Sequence, residues 1–376
     1  MGQALNIFLL AGESSGDRIA ADLVRRLRLH APVELSGVGG DALEAEGLVS
    51  LFPMHELAVM GWADVLPRLP RLLWRARQVA RTIIHTRPDV VVLVDAQVFS
   101  SVVAGLVHKA AADIPVLLCV APAVWAWKPE RAQGLKPRFR EVLAVLPFEP
   151  AVMRDAGGPM THYIGHPATE QFIQRLVPPQ RGPLLLLPGS RDGELRRHLP
   201  LMKAIAARFS DHPRVTEFVL PTPRHLADKL RSELNSWPLP VTVISGQAEK
   251  NDAFASALAA VAVTGTVTLE LALAGIPMVT TYVADRGQAK RWFQYKVKFA
   301  ALPNAILDRP LVPEVLQLAP DVMALGDAVE ALLNQAEHME RQLEGFAEIR
   351  AVMETGTPTD PRVDPASRVL ASINRR

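Results

Sequence analysis

The sequence predicts an α/β protein of two successive Rossmann-like domains, each a doubly wound, mostly parallel sheet. Three observations carry this. Short apolar runs end in glycine turns followed by helix formers, at residues 5–29 and again at 261–279, which is the strand–turn–helix half of a βαβ unit. The series breaks at Gly165-His166-Pro167 and at Pro178-Pro179-Gln180-Arg181-Gly182-Pro183, then starts afresh, as a linker would make it do. The chain has 376 residues, 49% of them hydrophobic, enough for two cores.

In the first half, Leu5 to Ala11 is a strand, Gly12-Glu13-Ser14-Ser15-Gly16-Asp17 its turn, and a helix runs to Leu29. No Gly-Lys-Ser/Thr follows, so this is not a Walker loop. A turn at the carboxyl end of a strand is where open α/β sheets bind ligands; a plain turn capped by Ser15 or Asp17 is the competing reading. Val33 to Val38 is a strand. Residues 68–84 form an amphipathic helix with Leu69, Leu72, Leu73, Ala76, Val79, Ala80 and Ile83 on one face and Arg68, Arg71 and Arg75 on another. Asp89 to Val94 is an apolar strand with Asp95 at its end. Helix 99–112 and strand 115–120 follow. Trp125 and Trp127 then lie in an irregular segment trailed by Arg131, Lys136, Arg138 and Arg140. That segment is either a packed loop or a wall that contacts sugar or lipid. Residues 141–146 and 161–164 are strands.

In the second half, Leu184 to Leu187 is a strand with Pro188-Gly189-Ser190-Arg191 as its turn. A helix and strands near 216–220 and 241–244 follow. Val261 to Val263 is a strand, Thr264-Gly265-Thr266 a turn, 267–274 a helix, Gly275 its C-cap, and 276–279 the next strand. Free N–H groups and the partial positive charge at that helix start suit a phosphate. The Arg191 guanidinium can grip a diphosphate bidentately. Glu270, four residues into the helix, can accept hydrogen bonds from a ribose. Residues 286–299 interleave Lys290, Arg291 and Lys296 with Trp292 and Phe293. Residues 322–353 and 362–373 are helical. This pattern fits a GT-B-type architecture: two domains facing across a cleft, the sugar nucleotide held mainly by the second, and no metal required. The expected domains are 1–175, and 183–340 holding the sugar nucleotide, with helices in 341–376 returning toward the first.

The formal net charge is only +2, which argues against a general nucleic-acid binder. Cys119 is the single cysteine, so an intrachain disulfide and a cysteine metal site are excluded. Met1 to Leu10 has no basic n-region and reads as a strand rather than a signal peptide. No apolar run reaches the roughly 20 residues of a spanning helix. The expectation is a cytoplasmic protein. Arg68, Arg71 and Arg75, together with Lys290, Arg291, Trp292, Phe293 and Lys296, are candidates for reversible contact with an anionic bilayer.

Read together, a series of short motifs resembles the lipid-A-disaccharide synthase family of Gram-negative bacteria. They are Ala11-Gly12-Glu13-Ser14-Ser15-Gly16-Asp17, Ala45-Glu46-Gly47-Leu48, Glu56-Leu57-Ala58-Val59-Met60-Gly61, Arg87-Pro88-Asp89, Val124-Trp125-Ala126-Trp127, Leu146-Pro147-Phe148-Glu149 and Gly165-His166-Pro167. Leu187-Pro188-Gly189-Ser190-Arg191, Gly265-Thr266, Leu269-Glu270, Pro277-Met278-Val279 and Leu302-Pro303-Asn304 complete it. The resemblance implies inverting transfer of 2,3-diacylglucosamine from UDP to 2,3-diacylglucosamine 1-phosphate at the cytoplasmic surface of the inner membrane, without cofactor or metal. It implies Asp95 as the base. Gly189, Ser190, Arg191, Gly265, Thr266 and Glu270 would hold the nucleotide sugar. Gly12, Glu13, Ser15, Gly16, Asp17, Trp125, Trp127 and Asn304 would line the acceptor side. The oligomeric state stays open between monomer and homodimer. Where the family has Ile-Asp-Ala-Pro-Asp-Phe-Asn, this chain has Val94-Asp95-Ala96-Gln97-Val98-Phe99-Ser100, and Ser-Pro-Ser has become Ala121-Pro122-Ala123. Two alternatives follow: a non-catalytic or altered-acceptor sugar-nucleotide-binding paralogue, and a UDP-N-acetylglucosamine 2-epimerase.

Overall fold

The computed structural model describes residues 4–57, 62–126, 128–295 and 297–373. The chain forms two compact units, Met1–Pro167 with Met353–Arg376, and Ala168–Val352.

The first unit holds β1 (Leu5–Ala11), β2 (Val33–Val38), β3 (Val90–Val94), β4 (Val116–Cys119), β5 (Glu141–Ala144) and β6 (Thr161–Tyr163) in one sheet, ordered β2-β1-β3-β4-β5-β6. Every pairing is parallel. The run Val-Val-Val-Leu-Val of β3 is buried along its whole length, as a central parallel strand covered on both faces must be. The Ser14–Arg28 helix buries Ile19, Leu23, Val24 and Leu27 and ends in Arg25, Arg26 and Arg28, cations that suit its C-terminal dipole. Residues from 353 onward close this unit. Tyr163 donates its hydroxyl to the Met353 carbonyl at 2.6 Å, Arg154 pairs with Asp360, and Arg368 bonds Glu141.

The second unit holds β7 (Gly182–Leu187), β8 (Val215–Pro221), β9 (Val241–Ile244), β10 (Ala259–Val263), β11 (Met278–Val283) and β12 (Glu314–Gln317), ordered β12-β11-β10-β7-β8-β9. This sheet too is wholly parallel.

Both sheets are doubly wound. In the first, the chain steps from β1 out to β2 and returns to β3 on the other side of β1. In the second it runs β7, β8, β9 and returns to β10 on the other side of β7. The switch points are therefore β1/β3 and β7/β10, where open sheets take their ligands at the carboxyl ends of the strands. The glycine turns singled out in the sequence follow β1, β7 and β10, and Asp95 follows β3.

Several details differ from the sequence reading. Residues 168–175 group with the second unit, not the first, because Phe172 stacks on Phe254 at 5.2 Å and the Arg175 N–H donates to the Ala274 carbonyl. The helical run 322–353 is two helices, Val322–Asn334 and Ala336–Thr355, interrupted at Gln335. The amphipathic helix spans Trp62–Thr86, and among its described side chains the later ones enter the core. Ala76, Val79, Ala80 and Ile83 are buried, whereas Leu69 and Leu73 are exposed.

Candidate active site

At the first switch point the β1 and β3 turns abut. A Cβ on Gly12 would stand 2.4 Å from the Ala96 Cβ, and one on Gly16 would stand 3.5 Å from the Asp95 Cβ. Asp95 and Ala96 both take left-handed backbone, with φ 56° and 43°, a conformation costly for residues other than glycine and common at functional sites. Ser100, buried, donates to the Asp95 carbonyl at 2.8 Å. The half-buried Asp95 is thus delivered on a strained, braced turn. Two positions that depart from the family pattern touch: Gln97 Nε2 donates to the Ala121 carbonyl at 3.4 Å, and Arg131 donates to Gln97 Oε1. Ser100, Gln97 and Ala121 together tie the β3 and β4 turns.

Glu13 and Ser15 lie half-buried on the same turn, with Glu13 as the N-cap residue of the Ser14–Arg28 helix. Asp17 does not cap its own turn but the start of the Asp41–Ala45 helix. It is buried, and its two carboxylate oxygens accept the N–H groups of Gly40 and Ala42, each at 2.8 Å. Trp125, half-buried, packs edge-on against Phe148 at 5.5 Å. Trp127 lies outside the described residues. Behind this turn, Glu149 is buried and accepts the Leu146 N–H at 3.0 Å. Burial pushes its carboxyl up to about 8, against partial relief from backbone N–H groups. Burial also raises the Cys119 thiol to about 12, which leaves it inert.

The second switch point is built from charge. Glu194 accepts the backbone N–H groups of Ser190 and Arg191 with one oxygen and the Arg191 guanidinium at 2.9 Å with the other. Gly189 sits at φ +96°, and a Cβ there would overlap the Glu194 carboxylate at 2.5 Å. His198, fully buried, fixes the same helix. Its Nε2 accepts the Val283 N–H at 2.9 Å, so the proton is on Nδ1, which lies 2.8 Å from the Glu194 carbonyl. Burial holds His198 below the ordinary imidazole range, and it stays neutral.

After β10, Gly265 and Thr266 are exposed, and a Cβ on Gly265 would meet nothing within 4 Å. No side chain caps the Thr266–Ala274 helix, so its N-terminus keeps the donors and partial charge that an anion needs. Glu270 lies one turn on from Thr266 along the same face. It is buried and ion-paired with Lys250. Asn304 is a structural tie. It is buried, its oxygen accepts the Leu311 and Val312 N–H groups, and its nitrogen donates to the Val312 carbonyl and to Glu314.

The basic rows are only partly available. Arg71 and Arg75 both bind Glu56, which holds that carboxyl below its usual range, while Arg68 is exposed. Beside them Leu69, Leu73 and Trp74 are exposed by 41%, 38% and 55%. Lys290 is exposed on the Arg286–Tyr295 helix. Lys296 and the side chains of Arg291, Trp292 and Phe293 lie outside the described residues. Among the described residues no helix is long and apolar enough to cross a membrane.

The sequence reading passed over Glu194, Lys250 and Trp74. The i, i+3 spacing of Arg191 and Glu194 on a helix start was a signal for the first; the other two have partners or surroundings that only the fold brings together.

Two doubly wound parallel sheets, with glycine turns at both switch points and an open helix N-terminus at the second, define the GT-B architecture of sugar-nucleotide enzymes. Solved structures agree. The glycosyltransferase of kitacinnamycin superposes with a TM-score of 0.65 at 16% identity, covering 99% of this chain and 100% of its own. The UDP-GlcNAc 2-epimerase of Neisseria meningitidis bound to UDP-GlcNAc does so at 0.61 and 10%, covering 98% of each chain. At such identities the likeness is one of fold. Sequence is more specific. The model of the lipid-A-disaccharide synthetase family matches residues 7–358. The lipid-A-disaccharide synthase of Rhodopseudomonas palustris is 40% identical over 94% of this chain and 93% of its own, and that of Rhodospirillum centenum is 39% identical over 99% and 96%. The chain belongs to the lipid-A-disaccharide synthase family of glycosyltransferases.

Proposed function

We propose that the protein transfers 2,3-diacylglucosamine from UDP to the 6-hydroxyl of 2,3-diacylglucosamine 1-phosphate, giving the β-1,6-linked disaccharide 1-phosphate and UDP. The observation that carries this reading is the family match over residues 7–358, which takes in all four switch-point turns. Asp95 accepts the proton of the acceptor hydroxyl as its oxygen attacks the anomeric carbon. The bond from that carbon to the β-phosphate oxygen breaks on the opposite face, so the centre inverts. Arg191 and the N-terminus of the Thr266–Ala274 helix stabilise the leaving diphosphate, the charge a metal would otherwise supply. Glu270 holds the ribose.

Incubation of the purified protein with UDP-diacylglucosamine and the monosaccharide 1-phosphate should yield the disaccharide by mass spectrometry, with a β linkage by NMR and undiminished turnover in chelator. UDP binding with no disaccharide formed would overturn the reading.

Both substrates carry acyl chains, so the protein must meet them at a bilayer. The exposed Leu69, Leu73 and Trp74, next to Arg68, form the surface for this on the cytoplasmic face of the inner membrane. Replacing the three apolar residues by Ser should reduce flotation with anionic vesicles. Replacing Arg71 and Arg75 should matter less for lipid, because Glu56 already engages them. Unchanged flotation of the Ser variant would sink this surface.

A further inference from the structure

The Gln247–Ser256 helix is poorly anchored. Phe254 is its one buried residue. Lys250 lies one turn earlier on the same face, and the two side chains do one job together. Phe254 stacks on Phe172, and the Lys250 ammonium lies 5.1 Å and 5.9 Å from those two ring centres. From this aromatic floor Lys250 pairs with Glu270. The floor is itself bolted to the Thr266–Ala274 helix: Arg350 donates to the carbonyls of both Phe172 and Leu273, each at 2.7 Å. A buried carboxylate beside a ligand site needs a compensating cation. A cation held against two stacked rings loses much of the freedom that would let it wander.

We propose that Lys250 is a positioning residue for sugar-nucleotide recognition: it aims the Glu270 carboxylate, and so sets how strongly the protein prefers a complete ribose over a deoxyribose. The proposal rests on the reading of Glu270 as the ribose contact. One oxygen of Glu270 is drawn to the ammonium, and this pull turns the carboxylate toward the two vicinal hydroxyls of a ribose. Lys250 touches no substrate in this role.

The test is calorimetric binding of UDP, 2′-deoxy-UDP and 3′-deoxy-UDP to the full chain and to Lys250→Met, Lys250→Arg and Glu270→Gln. The wild type should favour UDP over the weaker deoxy analogue by about tenfold, the scale of one hydrogen bond to a charged group. Lys250→Met should lose most of that preference, and Lys250→Arg should keep it. If Lys250 merely held the fold together, Lys250→Met would weaken all three nucleotides alike and leave their ratio unchanged, and that result overturns the proposal. Should Lys250→Met not fold, Lys250→Gln takes its place, and an unchanged ratio there does the same. A preference lost in Glu270→Gln but kept in Lys250→Met refutes Lys250 alone. No preference in the wild type refutes the ribose assignment and the proposal with it.

Discussion

The two switch points look alike in sequence and are built by opposite means. In the first, Gly12 is required because there is no room for a Cβ: Ala96 fills the space, and the backbone at Asp95 and Ala96 is strained. In the second, Gly265 has empty space around it, and the order comes from the pairs Glu194–Arg191 and Glu270–Lys250. Charge is handled differently as well. In the first unit Glu149 is buried and pushed toward neutrality, while Glu194 and Glu270 at the second switch point lie next to cations. A glycine turn can thus mark a place where backbone is packed to aim a reacting group, or a place left open for a ligand.

The contrast predicts a division of labour. Asp95→Asn should lower turnover by about a hundredfold or more, the scale of a lost general base, with UDP affinity unchanged. Steady-state kinetics with calorimetry checks this, and activity within a few-fold of wild type would move the base elsewhere. Arg191→Ala should do the reverse at smaller scale, weakening UDP by about tenfold, because a guanidinium is lost from the diphosphate side. Equal UDP affinity in both variants would erase the proposed difference.

Stability should separate the two glycines. Gly12→Ala should cost about 1–3 kcal/mol, as overpacking does, and Gly265→Ala less than about 0.5 kcal/mol, since its φ of 164° is extended backbone open to any residue. Urea unfolding of both variants decides it.

The last expected effect concerns pH. The Glu149 carboxyl is raised from its ordinary 4.5 to about 8 in the folded protein. As pH rises through that window the unfolded chain ionises while the folded one stays protonated, so stability falls with rising pH. Glu149→Gln should flatten that fall, and thermal unfolding at the two ends of the window measures it. An unchanged slope would mean Glu149 is ionised in its burial site.

What was legible in the sequence follows the same division. The strands β1, β3, β7 and β10 and their turns could be read because buried apolar runs bounded by glycine are local signals. The GT-B pattern and the family followed from them. Asp17 and Asn304 were visible as motif residues, but their work was not: both are consumed by backbone N–H groups from turns distant in sequence or hidden by folding. Lys250 reads as one more surface lysine until Phe172 and Phe254 come together beneath it. β12 passed unread because Glu314-Val315-Leu316-Gln317 holds only two apolar residues and no glycine turn follows it. Arg71 and Arg75 looked free because Glu56 lies 15 and 19 residues before them in sequence.

The second unit is contiguous, Ala168–Val352, whereas the first is split around it. On a ribosome, the second has all its residues in hand while the first still lacks a part. The Met353 carbonyl that receives Tyr163, the Asp360 that pairs with Arg154, and the Arg368 that reaches Glu141 are all made late. Until then the β6 edge of the first sheet lacks these partners, and an unprotected sheet edge invites association with other chains. Synthesis order therefore sets a vulnerable interval for the half that carries Asp95, and ends it only when the last helix, Pro365–Ser372, has emerged.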